Sequence, residues 1–214
     1  NEDWRLLLLH QVPEEIAGEF GRALVEMQEN EPISQAEVIF RQTSEVREIK
    51  VRTSSSVTVS KCIFEKLPYP SQGGGLERDF LSWLDIDSDV DAFIKIDEHK
   101  HDFLRRPYLK ADGMPALYSP DFLVRCGNTI YLVETKSQTA LADANVQRKK
   151  RSALSWVSGI NNLPEEQRDG ITWHYVLAGE TAVRNNMENG GKSSDFLQSA
   201  ILIDQSQGDT GHLF

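Results

Sequence analysis

Cysteine is nearly absent from this chain: there are two, Cys62 and Cys126. They stand in apolar, strand-like surroundings with no CxxC spacing, which excludes a disulfide framework and a cysteine zinc site and fits a reducing cytoplasm. Nothing approaches the run of roughly 20 apolar residues that a membrane helix needs. Basic residues are too few for a general nucleic-acid coat: 23 Lys and Arg stand against 33 Asp and Glu, a net charge of −10, whereas such coats present a basic field to phosphates. A metal-dependent site that concentrates its own carboxylates is compatible with that charge. Repeats and low-complexity tracts are missing as well. The opening NEDWRLLLLH has neither an initiator methionine nor a charged-then-apolar leader, and reads as an internal stretch of a longer protein.

With 39% hydrophobic and 26% charged residues over 214 positions, the chain suits one core with an extension. VPEEIAGEFGRALVEMQEN places Ile16, Phe20, Leu24 and Met27 at helical spacing, an amphipathic helix with Pro13 in its first turn. From 45 to 64 a loose alternation rich in Val, Thr and Ile reads as two strands around the serine run. KLPYPSQGGG reads as a loop, and divides the expected N-terminal extension, residues 1–72, from a core over 73–214.

In the core, LERDFLSWL predicts a helix with Leu76, Phe80 and Leu84 on one stripe. VDAFIKI predicts a strand, FLVRCGNTIYLVETK a hairpin, NVQRKKRSALSWV a helix, ITWHYVLA a strand, and SSDFLQSAIL a last helix or strand. The order αβββαβ implies an α/β fold with a mixed central sheet flanked by helices, its strands apolar on both sides.

The hairpin carries the chemistry. Gly127-Asn128 predicts a two-residue type I′ or II′ turn, which pairs Cys126 with Thr129. Propagated along the ladder, that register sets Asp121 opposite Glu134, with Lys136 two residues on and on the same face. Directly opposed like charges destabilise a sheet, and the rest of that face, Leu123, Ile130 and Leu132, is apolar. Two carboxylates converging there suit a hard divalent cation such as Mg²⁺, and the ammonium of Lys136 suits an attacking water or charge developing on phosphorus. The alternative is turn chemistry at Pro120-Asp121 and a solvated Glu–Lys pair.

Pro120-Asp121 followed by Glu134-Thr135-Lys136 resembles the signature of the PD-(D/E)XK nuclease superfamily. The wording around it, LERDFLSWL, VDAFIKI, YSPDFLV, YLVETK and a helix with basic residues and a tryptophan, resembles the C-terminal endonuclease domain of type III restriction enzymes, over roughly the last two-thirds of the chain. The resemblance implies a restriction-endonuclease-like core and a Mg²⁺-dependent endonuclease acting on double-stranded DNA, with Mn²⁺ as a substitute. It implies Asp121 and Glu134 as metal ligands, the Thr135 carbonyl as a third, and Lys136 as catalytic lysine. ATP would enter only through a helicase motor elsewhere in the full-length chain, with a methyltransferase subunit as partner; residues 1–72 would pack on the motor. Ser137 departs from the glycine that often follows the lysine in that family.

Glu77, on the stripe of Leu81 and Leu84, is a further candidate, since the family often has a supporting acid on its first helix; the alternative is a favourable acid in the first turn. Gln147, Arg148, Lys149 and Lys150 are candidates for DNA phosphate contact, with Lys150 on the apolar stripe of Val146, Ala153 and Val157 and Lys149 beside it. A solvated face is the alternative for each, and for Arg105 and Arg106. ENGGKSS lacks the first glycine of a phosphate loop. DIDSDVD lacks the turn glycine of a calcium loop and reads as an exposed acidic loop; His99 and His101 lack zinc spacing. Two competing functions remain: a catalytically silent interaction module of nuclease fold, and a repair or recombination nuclease of the same superfamily.

Overall fold

The computed structural model describes residues 5, 9–29 and 38–202. It is an α/β fold around a five-stranded mixed sheet. In chain order, helix α1 (Gln11–Glu29) precedes a short β1–β2 hairpin (Ser56–Thr58 and Lys66–Pro68); then come α2 (Gly75–Ile86) and β3 (Ala92–Lys95). A second small hairpin, β4 (Arg106–Leu109) and β5 (Pro115–Tyr118), leads to β6 (Phe122–Cys126), β7 (Thr129–Lys136) and α3 (Ala144–Asn161). The chain continues through β8 (Thr172–Gly179), α4 (Glu180–Glu188), α5 (Ser193–Ser199) and β9 (Ile201–Leu202).

The main sheet runs β3-β6-β7-β8-β9, antiparallel at every pair except β7–β8, which is parallel. α3 supplies the crossover that a parallel pair requires. Both faces are covered, so β7 reads as a continuous apolar run. On one face, Phe80, Leu81 and Leu84 of α2 pack with Phe122, Val124 and Val133, joined by Val183 of α4 and Phe196 of α5. On the other, Ala153, Leu154 and Val157 of α3 pack with Leu132, Tyr175, Tyr108 and Tyr118.

The expected αβββαβ order is present in α2, β3, β6, β7, α3 and β8, with the β4–β5 hairpin inserted after β3. That hairpin is closed by the Asp112-Gly113 turn, with Gly113 at φ +83°, and it was not among the expected elements; neither was α4. Two expectations need correction. The two strands around the serines are instead β1 after it and β2 within KLPYPSQGGG, so Lys66–Pro68 is not loop. Val59 and Leu67 of that segment are buried in the cluster of α2, and Phe93 donates to the Lys61 carbonyl at 3.0 Å.

α1 is the expected helix. Its apolar stripe is turned to solvent, Ile16, Phe20, Leu24 and Met27 being 57, 64, 42 and 67% exposed. Among its described side chains, the buried positions are Gly18 and Gly21. A Cβ on Gly21 would meet Pro115 at 2.7 Å, so close approach to the β4–β5 hairpin, rather than an apolar face, seats this helix.

Secondly, the acids after α2 are not simply exposed. Asp87 is 5% exposed and accepts from Ser193 Oγ (2.9 Å), Ser194 N (2.7 Å) and Asp89 N (3.0 Å). Burial opposes its charge, yet these donors outweigh it and hold the carboxyl down at about 2. Lys192 bonds Asp89 at 2.7 Å. The two sequence stretches set aside as incomplete phosphate and calcium loops thus fasten each other, the end of α2 to the start of α5.

Candidate active site at the end of the central hairpin

The turn at Gly127-Asn128 fixes the hairpin. Gly127 has φ +57° and Asn128 is not left-handed, which is the type II′ arrangement with glycine first. Pairing then runs from Cys126–Thr129 to Phe122–Val133. One residue further the ladder departs from the expected register. Asp121 donates its N–H to Val133 O at 3.0 Å, and its carbonyl accepts from Ile96 N at 2.8 Å, so the strand bends where Asp121 was expected to face Glu134. The bend ties the Asp121 carboxylate to β7 by another route: Oδ2 accepts from both the N–H and the hydroxyl of Thr135, each at 2.8 Å.

Glu134 alternates with Leu132 and therefore points to the α3 face. It is 3% exposed. Its two oxygens have separate partners: Oε1 meets Lys136 Nζ at 2.5 Å, and Oε2 accepts from the Tyr118 hydroxyl at 3.1 Å. Burial raises the Glu134 carboxyl first, the Asp121 charge raises it further, and the ammonium groups of Lys136 and Lys149 only partly counter this, leaving it up at about 7. Lys136 shows the complement. Burial disfavours its charge, but Glu134 and Asp121 outweigh burial and hold it above the ordinary lysine value, so it is an ammonium at neutral pH. Its Nζ also donates to the Thr135 carbonyl at 3.1 Å.

The geometry brings Asp121, Glu134, Thr135 and Lys136 together at one end of the hairpin. Lys149 joins them, with its Nζ 5.6 Å from the centre of the Tyr118 ring and 5.8 Å from that of Tyr108. On this helix it is Lys149, not the stripe position Lys150, whose charge acts on Glu134. Gln147 is engaged within the chain, donating to Leu141 O at 2.6 Å; Arg148 and Lys150 are half-buried on the same helix. Glu77 is placed differently. α2 covers the face opposite Glu134, and Glu77 forms its ion pair with Lys95, whose ammonium lies 4.9 Å from the Phe122 ring centre. Its charge still reaches Lys136.

Sequence reasoning did not single out Tyr118 or Tyr175. Tyr118 stood in the quoted YSPD run, three residues before Asp121, but only the placement of β5 brings its hydroxyl to Glu134. Tyr175 is fully buried with its hydroxyl beside that of Tyr118, and burial first, then the Glu134 charge, hold it strongly neutral.

Among the described residues, no group of three or more His, Cys, Asp and Glu side chains is placed to hold a metal ion. Glu134 Oε1 and the Thr135 carbonyl already face one common cationic atom, Lys136 Nζ, and a buried carboxyl held up at about 7 beside a second acid marks a deficit of positive charge. Comparison of the chain with protein-family models, with curated proteins and with solved structures finds no match. No helix among the described residues is long and apolar enough to cross a membrane.

Proposed function

We propose that this chain is a Mg²⁺-dependent endonuclease domain that hydrolyses phosphodiester bonds of double-stranded DNA, in the manner of the type III restriction enzymes it resembles. The observation that carries the reading is buried Glu134, its carboxyl raised by burial and by the charge of half-buried Asp121, with the ammonium of Lys136 on Oε1 at 2.5 Å. A binding module gains nothing from holding a carboxylate at 3% exposure against a like charge. The sheet order α2, β3, β6, β7, α3, β8 is compatible with the αβββαβ nuclease core.

Asp121, Glu134 and the Thr135 carbonyl would hold the cation, which supplies a positive charge against a non-bridging phosphate oxygen and polarises phosphorus. Lys136, protonated at neutral pH, donates hydrogen bonds and cannot act as the base; it orients the attacking water and offsets charge developing on the phosphoryl oxygens. Water oxygen bonds to phosphorus as the opposite P–O bond breaks; the water's proton passes to solvent and the leaving oxygen takes one from solvent, giving a phosphate monoester and an alcohol. Lys149, at the Tyr118 edge, neutralises a neighbouring phosphate. Glu77 acts from the other face through Lys95.

The solvent-facing stripe of Ile16, Phe20, Leu24 and Met27 supports membership in a larger enzyme, since contiguous exposed apolar side chains mark interaction surfaces. The helicase motor that would carry ATP hydrolysis, or the methyltransferase subunit, is the partner in this reading. The same stripe favours the second reading, a silent docking module. Calorimetric titration with Mn²⁺ separates the two. Binding by the wild type that is lost in Asp121→Ala and Glu134→Ala supports the nuclease, and an identical weak heat from all three proteins supports the module.

A further inference from the structure

Arg106 is a cation without an anion. Its guanidinium lies over Trp156, Cζ 3.8 Å from the ring centre, and Trp156 in turn packs on Trp173 at 5.7 Å. Nε is buried with no hydrogen-bond partner, and Nη2 reaches only the Phe103 carbonyl, at 3.5 Å, the outer limit of a hydrogen bond. Among the described residues, no carboxylate is within ion-pair distance, although acids outnumber bases in the chain as a whole. Its neighbour Arg105, by contrast, is used up on the Glu98 carbonyl. Burial alone acts on the Arg106 charge and lowers it to about 10. Desolvating a guanidinium without pairing it is unfavourable, so the chain is holding a planar fork of donors, pre-organised by an aromatic plate, for something it does not itself supply.

The position says what that is. Arg106 pairs with Tyr118 across the β4–β5 ladder, so the two side chains rise side by side on one face. Tyr118 donates to Glu134 and has Lys149 over its ring. Trp156 follows Lys149 by seven residues on α3, two helical turns or about 10 Å along the axis. Lys149 and Arg106 therefore form a cationic line leading away from the two acids, on the α3 face to which Glu134 points. We infer that the Arg106–Trp156 pair is a phosphate subsite, taking a backbone phosphate of the nucleic acid beyond the scissile one; the polymer as its source rests on the nuclease reading above.

The test uses the full chain, wild type and Arg106→Gln, with Arg106→Lys as the variant that keeps charge but loses the fork. Two probes are titrated by tryptophan fluorescence: inorganic pyrophosphate, and a short DNA duplex in Ca²⁺ over a range of salt; Trp156→Phe identifies the reporting ring. Duplex affinity should fall about tenfold in Arg106→Gln, the slope of log K against log salt should shrink by about one, and Arg106→Lys should recover only part. Thermal melting without anion should be unchanged or higher in Arg106→Gln, and pyrophosphate should raise only the wild-type melting temperature. Equal duplex affinity and salt slope in wild type and Arg106→Gln, or a lower anion-free melting temperature with no anion response in either, would overturn the subsite. A wild type that answers pyrophosphate through Trp156 but ignores the duplex keeps the anion site and sinks the nuclease reading, whereas one that answers neither sinks both.

Discussion

Lys136 Nζ sits 2.5 Å from Glu134 Oε1 and 3.1 Å from the Thr135 carbonyl, the two oxygens that together with Asp121 would ligate a metal. The lysine is two residues beyond the glutamate on one strand, so the pleat points both side chains to the same face, and the hairpin end leaves the ammonium only the nearest oxygens to satisfy. It occupies, as a monovalent cation, the seat assigned to a divalent one.

This occupancy makes a prediction that a plain catalytic role for the lysine does not. In Lys136→Met the competing charge is gone and the Glu134–Asp121 repulsion is uncompensated, so at pH 8 the variant should bind Mn²⁺ more tightly than the wild type, by roughly tenfold for a difference of about 1.4 kcal/mol. Duplex cleavage should fall by about 10²-fold or more, because a donor to developing phosphoryl charge is lost. Isothermal titration and a gel assay on the same preparations give both numbers. Loss of Mn²⁺ binding in Lys136→Met would mean that the lysine organises the ligands instead of competing with the metal.

Glu134 should make stability depend on pH. Its folded carboxyl is raised to about 7 by burial and by Asp121, against an ordinary value near 4.5. The folded state therefore holds a proton that the unfolded state has released, and stability must fall as pH rises from about 4.5 to 7. Glu134→Gln removes this titration. Unfolding free energies of the two proteins from urea titration should converge near pH 5 and diverge above pH 7 in favour of the variant, by on the order of 3 kcal/mol. Parallel profiles across that range would show that Glu134 is an ordinary carboxylate.

How much of this was readable beforehand follows the range of the forces involved. The hairpin register was legible because a two-residue Gly-Asn turn fixes it locally, and the proximity of Asp121, Glu134 and Lys136 followed, although the departure at Asp121 did not: its N–H bonds the carbonyl of Val133, the partner of Phe122. The β4–β5 hairpin was hidden by Pro107 and Pro115, residues that demote a strand pattern, despite the Asp112-Gly113 turn between its strands. α1 was identified as a helix with its apolar stripe, but hydrophobic periodicity does not register the close approach of Gly21 to Pro115 that places it on the β4–β5 hairpin. Tyr118, Lys149 and the Arg106–Trp156 stack became neighbours only through the seating of β5 and α3 on the sheet, which no local pattern encodes.

Tyr118 offers a probe of the site that leaves its charges in place. The hydroxyl donates to Glu134 Oε2 at 3.1 Å from a residue 1% exposed. A buried bond to a charged acceptor contributes about 1.5–3 kcal/mol, and one to a neutral acceptor about 1. Tyr118→Phe should therefore cost more stability at pH 8, where Glu134 is ionised, than at pH 5, where it is protonated. The same deletion withdraws a donor from the carboxylate and should shift the Glu134 transition to higher pH, widening the window over which the wild-type profile falls. The buried Tyr175 hydroxyl beside it cannot be left out: if it turns to Glu134 when Tyr118 loses its oxygen, Tyr118→Phe alone will look mild and the full effect will emerge only with Tyr175→Phe added. A loss in Tyr118→Phe that is the same at both pH values, with no further change in the double variant, would show that the hydroxyl serves packing alone and that Glu134 is positioned by Lys136.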